Sequence, residues 1–382
     1  MEFSWTAGQQ ARYEDVLAAT RDAFPRPDGA GAAEPGFFRR EDWLKLGEIG
    51  MLGASLPTAY GGQGLGALDT ARVVEAVGRG CTDTGLVFGA AAHTFACAMP
   101  LLGFGSEPVK KRLLPELAAG TLIAANAMTE PDAGSDSSRL SVVARPVDGG
   151  FVLDGTKSFV TNGPMADVYV AYATVNPKMG FLGVTGVVVE RGTPGLLVGE
   201  PFEKMGMASA PAGRITFQDC FVPQENVLGG AGQGAAIFQY SMGWERACLF
   251  ALYVGLLDRL VEQCVAHARE RRQFGRRIAE FQAVSHRIVD MKLRLESARL
   301  LLYRACWEMD RGGPATLSIA LSKLAVSEAA LAGAMDAVRV FGGRGYLRDD
   351  GIEAALRDAV PSTIFSGTSD IQRQLIAKEI GL

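Results

Sequence analysis

The sequence predicts an α+β protein in three consecutive segments: helical, β-rich, then helical again. Two changes of texture carry this reading, one near residue 123 and one after Gly232. Residues 1–122 place apolar side chains at helical spacing, as in Trp43, Leu46, Ile49 and Gly50, between Gly/Pro-rich loops at 26–36 and 60–66. Residues 123–232 turn β-branched and alternating, as in Val168 to Tyr172 and Val184 to Val189, with turn signals at Asp148-Gly149-Gly150 and Asp154-Gly155. Residues 233–382 return to the helical period. There Val284, Ile288, Met291, Leu295, Ala298, Leu302 and Ala305 alternate steps of four and three, the seam of a long packed helix. A second long helix runs from about Pro314 to Val340 behind Arg311-Gly312-Gly313, and so short a joint predicts an antiparallel pair.

With 382 residues, 48% hydrophobic and 21% charged, the chain has room for two or three domains with a shared or divided core. The run from Thr84 to Ser106 holds 23 residues without a charge, long enough to span a bilayer. Its Ala/Gly/Thr composition, His93 in the middle and Pro100 near the end predict a buried core helix instead.

Lys plus Arg number 38 against 42 Asp plus Glu, so the surface lacks the basic excess that phosphate neutralisation requires, and nucleic-acid coating is excluded. The six cysteines have no C-x-x-C spacing and read as reduced core thiols, and the three histidines stand apart from them, so no metal is expected. Reduced thiols point to a cytoplasmic protein, the N-terminus lacks the basic and then apolar regions of a secretory signal, and with the uncharged run read as core no membrane association is expected.

Glycine-rich nucleotide signatures fail on inspection. Gly62-Gln-Gly-Leu-Gly66 lacks the dinucleotide spacing, and Gly155-Thr-Lys-Ser158 lacks the upstream glycine of a P-loop. Glu245 is the residue that does not fit its surroundings. On a helix it falls in line with Leu249, Leu252 and Leu256, while Ser241, Met242, Cys248 and Leu249 are its neighbours one turn away. A carboxyl buried there without a cation is pushed toward neutrality, which suits a general base. The plainer readings are a helix-start acid favoured by the dipole, or a partner of a distant arginine. A second cluster, Arg269, Arg271, Arg272, Arg276 and Arg277, suits either a pyrophosphate, an acidic partner or a solvated helix end.

Six segments in order resemble the acyl-CoA dehydrogenase family over essentially the whole chain: Ala127-Met-Thr-Glu-Pro-Asp-Ala-Gly-Ser-Asp136, Lys157-Ser-Phe-Val-Thr-Asn-Gly163, Arg271-Arg-Gln-Phe-Gly275, Phe281-Gln282, Arg339-Val-Phe-Gly-Gly343 and Gly367-Thr-Ser-Asp-Ile-Gln-Arg373. The resemblance implies an N-terminal helical domain, a central β-barrel and a C-terminal four-helix bundle. It also implies an FAD enzyme that removes α- and β-hydrogens from an acyl thioester, assembled as a homo-oligomer, dimer or tetramer. Met128, Thr129, Ser135, Phe159 and Thr161 would meet the cofactor from the β domain. Arg271, Phe274 and Gln282, with Arg339, Gly342 and Gly343 from the neighbouring subunit, would hold its pyrophosphate and adenine side, and Thr368 and Asp370 would complete the site.

One position departs from the pattern. Many family members carry the catalytic Glu just before the last signature, where this chain has Ser366. A minority place the base on the bundle helix before an Arg, which matches Glu245-Arg246, so the oddly placed acid and the absent one explain each other. Trp244, Arg246 and Gly367 are the implied substrate contacts. A narrower resemblance, to the prolyl carrier-protein dehydrogenases of the family, runs through Gly80 to Phe88, Phe95 to Pro100, Ser241 to Phe250 and Ile364 to Asp370. It implies an L-prolyl group tethered through phosphopantetheine to a small acidic carrier protein and oxidised to pyrrole-2-carboxyl, as in antibiotic pathways. A short-chain acyl-CoA dehydrogenase and a flavin-binding protein without dehydrogenase chemistry are the alternatives. Trp244 either narrows the pocket or is ordinary core, and carrier docking on Arg269 to Arg277 competes with the cofactor role of Arg271.

Overall fold

A computed structural model describes residues 4–25 and 37–382, so the predicted loop at 26–36 lies outside the described residues. The N-terminal segment is helical: α1 (Ala7–Ala23), α2 (Arg40–Glu48), α3 (Ala67–Gly80), α4 (Thr84–Ala92), α5 (Met99–Phe104) and α6 (Glu107–Ala119). Thr6 starts α1 with a capping box, its hydroxyl accepting from the Gln9 N–H. The uncharged run forms one continuous rod, α4 and α5 joined by a π-helical turn at His93–Ala98. Asp83 caps it by accepting from the Leu86 N–H at 2.9 Å. Thr84–Phe104 and Thr316–Tyr346 are long and apolar enough to cross a membrane, yet 89% of the apolar window in the first is packed inside the protein.

The central segment supplies β1 (Ala124–Ala127), β2 (Val143–Val147), β3 (Gly150–Thr161), β4 (Val168–Thr174), β5 (Val184–Glu190), β6 (Leu196–Pro201), β7 (Ala212–Pro223) and β8 (Val227–Leu228). Where the resemblance implied a barrel, the strands pair as one eight-stranded sheet in the order β6-β7-β3-β2-β4-β5-β8, with β1 parallel to β4. Every residue of β4 is buried, so that strand is covered on both faces. The turn expected at Asp154-Gly155 is a bulge inside β3. The pairing with β7 slips between Leu153 and Gly155, and Gly155 takes φ +127°, a conformation open to glycine.

The C-terminal segment holds α7 (Gly234–Trp244), α8 (Ala251–Glu270), the hairpin β9 (Arg272–Gln273) and β10 (Arg276–Arg277), α9 (Gln282–Asp310), α10 (Thr316–Phe341), α11 (Ile352–Ala359) and α12 (Ser369–Glu379). The two long helices predicted after residue 284 are α9 and α10. They pack together, and α8 and α12 complete a four-helix arrangement around α10. On α9 the expected seam is buried from Met291 through Leu295, Ala298 and Leu302 to Ala305, while Val284 and Ile288 are half-buried. Glycines let α3 cross α8 closely: a Cβ at Gly78 would stand 2.5 Å from the Leu252 carbonyl oxygen, and one at Gly255 would stand 2.2 Å from that of Glu75. Buried apolar residues from all three segments form one continuous cluster.

Candidate active site

The helical rod from Gly234 to Glu270 widens once, in a π-helical turn at Glu245–Leu249. It packs against the other π-turn, His93–Ala98. Such turns add a residue to a helix and gather at functional sites. Phe95 and Trp244 face each other across this meeting point, ring centroids 6.5 Å apart and planes 8° from parallel. Trp244 therefore packs, half-buried, against the apolar surroundings next to the acid in sequence.

Glu245 is 8% exposed and sits in mid-rod, so the helix-start reading does not apply. Leu249, Leu252 and Leu256 are all buried, although the wide turn adds a residue to the spacing assumed for them. Burial raises the Glu245 pKa. A hydrogen bond from Ser366 and the charges of Arg246 and Lys323 oppose that rise without cancelling it. Among the described residues no cation lies within ion-pair distance of its carboxylate, and the distant-arginine reading is set aside with the dipole one.

Ser366 is delivered by the loop before α12. Phe365 anchors it among Phe88, Phe250 and Tyr253, at centroid distances of 4.5, 5.3 and 6.3 Å. On the other side Thr368 caps α12, accepting from the Ile371 N–H, and Gln372 Nε2 donates to the carbonyls of Ser366 and Gly367 at 3.3 and 3.1 Å. Arg246 Nε donates to the Ser366 carbonyl at 2.9 Å. Gly367 takes φ +84°, and a Cβ there would meet Gln372 Nε2 at 2.9 Å and Arg246 Nη2 at 3.2 Å. Thus Trp244, Glu245, Arg246 and Gly367 share one locus.

The residues expected to face the cofactor ring also meet. The Ser158 N–H donates to the Thr129 carbonyl at 2.8 Å, and Lys157 Nζ donates to the Met128 carbonyl at 3.0 Å. This ties the end of β1 to β3, where Phe159 stands out at φ +54° and 67% exposed, with Thr161 two residues on. Asn162 Nδ2 donates to the Gly89 carbonyl at 2.9 Å and joins the strand to α4. Beneath them Lys157 pairs with Glu130 at 2.7 Å, both fully buried. Burial would raise the Glu130 pKa, but Lys157 and the N–H and hydroxyl of Ser141 bring it below the usual range, while burial takes Lys157 down to about 8.

Arg271, Phe274 and Gln282 lie elsewhere, exposed at the far end of α8, whose 20 residues span about 30 Å. The hairpin turns on Phe274 at φ +52° and Gly275 at φ +78°, the paired left-handed geometry of a tight β-hairpin. Arg339 in the last turn of α10, and Gly342 and Gly343 just past its end, lie close by: His267, stacked on Phe341 at 4.2 Å, has its pKa lowered by burial and by the charges of Arg344 and Arg271. Ser135 and Asp370 are exposed, Asp370 pairing with Arg373 at 3.2 Å.

The donor set fits a dinucleotide. Arginine, glutamine, threonine hydroxyl and glycine backbone are phosphate-binding groups. On the first turn of α12, buried Ser369 Oγ and Gln372 Oε1 have no hydrogen-bond partner among the described residues. Sequence reasoning missed three contributors. Lys157 and Asn162 enter the sequence reading only as members of a signature, and Ser366 as a departure from one pattern and a member of another, with no contact assigned to any of the three. Chemically, the locus offers a weakly solvated carboxylate next to the Trp244–Phe95 ring pair, a group that can take a proton from carbon.

Three family models match in register with the three segments: acyl-CoA dehydrogenase N-terminal domain over residues 9–121, middle domain over 125–220 and C-terminal domain over 232–381. An L-prolyl-[peptidyl-carrier protein] dehydrogenase of Pseudomonas fluorescens is 58% identical over 91% of this chain and 91% of its own. One of Serratia sp. is 46% identical over 100% of this chain and 99% of its own. The solved structure of PigA with FAD and proline superposes with a TM-score of 0.97 at 45% identity, covering 100% of both chains.

Proposed function

The chain belongs to the acyl-CoA dehydrogenase family, and we propose that it oxidises an L-prolyl thioester on a peptidyl carrier protein to the pyrrole-2-carboxyl thioester. Glu245 carries this reading: a buried carboxylate with a raised pKa, with no salt bridge among the described residues, next to the Trp244 that stacks on Phe95. The thioester acidifies the α-carbon, and Glu245 takes that proton as general base. Trp244 and Phe95, near-parallel and 6.5 Å apart, would flank the prolyl ring. Arg246 holds the Ser366 carbonyl and so fixes the loop that closes the locus behind Gly367.

FAD, when bound, would supply the two-electron acceptor for the first oxidation and, once reoxidised by an external electron acceptor, for the second. Met128, Thr129, Phe159 and Thr161 would face its ring, with Ser135, Thr368 and Asp370 around it. Arg271, Phe274 and Gln282, with Arg339, Gly342 and Gly343 of a neighbouring copy, would hold the dinucleotide end. The length of α8 supports such sharing, because the hairpin stands about 30 Å from the Glu245 turn of its own chain. So does α9, which exposes Val289, Leu293 and Leu300 by 62, 64 and 52% along one face, an apolar stripe suited to a homo-oligomer. The hairpin arginines thus go to the cofactor before the carrier protein. A cytoplasmic location agrees with six cysteines that are all buried and free.

Mass spectrometry of a prolyl-loaded carrier protein incubated with the holoenzyme tests the proposal. The expected product has lost four hydrogens. An unchanged acyl mass together with turnover of butyryl-CoA would assign short-chain acyl-CoA chemistry instead.

A further inference from the structure

We propose that Ser366 is a positioning residue for the base: its hydroxyl pins Oε1 of Glu245, holds the carboxylate in its ionised form and leaves Oε2 to take the substrate proton. The inference rests on Glu245 being that base. Three observations carry it. First, Ser366 Oγ donates to Glu245 Oε1, and among the described residues no other side chain bonds that carboxylate. Second, the two ends of Ser366 are gripped by consecutive residues of one π-turn, its hydroxyl by Glu245 and its carbonyl by Arg246 Nε. Third, Ser366 holds φ +55°, a left-handed conformation that serine rarely adopts and that persists only where the surroundings enforce it. Here Phe365 in its aromatic cluster and Gln372 on the carbonyls do so.

The other groups near Glu245 are poorer at this task. Arg246, on the same turn, spends its Nε on the Ser366 carbonyl. Lys323 of α10 gives its Nζ to the Ser362 carbonyl at 3.0 Å, over the Phe250 ring, and is pushed down to about 8 by burial and by Arg246. Cys97 of the opposing π-turn and Tyr172 of β4 have raised pKa values and stay neutral, mainly through burial with the Glu245 charge adding to it. Only the serine hydroxyl both touches the carboxylate and can donate to it. A donor to the charged form favours ionisation, so removing it moves the base further up.

The test uses holoenzyme with prolyl-loaded carrier protein, following flavin bleaching in a single turnover across the acidic to neutral range, for Ser366→Ala and Ser366→Gly. Both remove the hydroxyl, and glycine also relieves the positive φ, which separates the side chain from the backbone. The acid limb of the rate profile should move to higher pH by about one unit in both variants, a roughly tenfold slower bleaching on that limb, with rates converging at alkaline pH. In infrared spectra the protonated-carboxyl band that Glu245→Gln abolishes should persist to higher pH in both variants. An unmoved limb, a uniform loss at every pH, or a shift in the alanine variant alone overturns the proposal. Normal bleaching by Glu245→Gln would instead remove the base reading itself.

Discussion

Glu130 and Glu245 are both buried glutamates, 2 and 8% exposed, yet they are held in opposite ways. Glu130 receives four donors: Lys157 Nζ at 2.7 Å, the Val142 N–H at 3.0 Å, and the N–H and hydroxyl of Ser141, both at 2.6 Å. Its carboxylate is saturated and its pKa falls. Glu245 receives one hydroxyl and its pKa rises. Burial alone therefore does not decide what a carboxylate does; the supply of donors does. Where the protein must hold the loops at Met128 and Phe159 still, it satisfies the acid completely. Where it must move a proton, it leaves the acid short.

Removing the unsaturated acid should have the largest consequence. Glu245→Gln keeps the shape and the apolar packing, and bleaching by prolyl-carrier protein should fall by about 10²–10⁴-fold while the flavin stays bound. Removing the partner of the saturated acid should act on stability instead. Lys157→Met leaves Glu130 charged and uncompensated, at a cost of about 3–5 kcal/mol in denaturant unfolding, and the double variant with Glu130→Gln should recover much of it.

Acidity separates the two further. The depressed pKa of Glu130 means its stabilisation is present above the unfolded carboxylate range and is lost as pH falls through the folded value. The raised pKa of Glu245 works the other way: ionising it costs stability as pH climbs above that range. Glu245→Gln should therefore raise neutral-pH stability by about 1 kcal/mol and change little near the ordinary carboxylate pKa, while Glu130→Gln should lower it at neutral pH. Thermal unfolding at two pH values reads both signs. The smallest effect belongs to an exposed pair. Arg373 and Glu328 lie 3.3 Å apart but are half-exposed, so Arg373→Ala should shift stability by no more than about 0.5 kcal/mol.

Much of this contrast was legible in the chain. An acid among Leu249, Leu252 and Leu256 with no cation a turn away announced Glu245, because helical spacing is local information. The burial of the uncharged run at 84–106 was legible for the same reason. Its widened turn was not, since periodicity counts apolar residues and is blind to whether a helix closes over four residues or five. Partners distant in sequence escaped too. Ser366 reaches Glu245 across 121 residues through the folded helical segment, and Lys157 reaches Glu130 across 27 through the folded sheet. Asp154-Gly155 misled because glycine serves a bulge as readily as a turn.

The wide turn at Glu245–Leu249 also constrains how this chain can change length. One extra residue in a helix swings everything beyond it by about 100° around the axis. Deleting one residue there would restore an ordinary helix but rotate the buried side of α8, with Leu252, Leu256 and Leu260, out of the core and turn the hairpin at its end away from its present bearing. A single-codon deletion here therefore disturbs the fold more widely than a substitution does, and the insertion that holds the acid is also the pivot that aims the rest of the bundle.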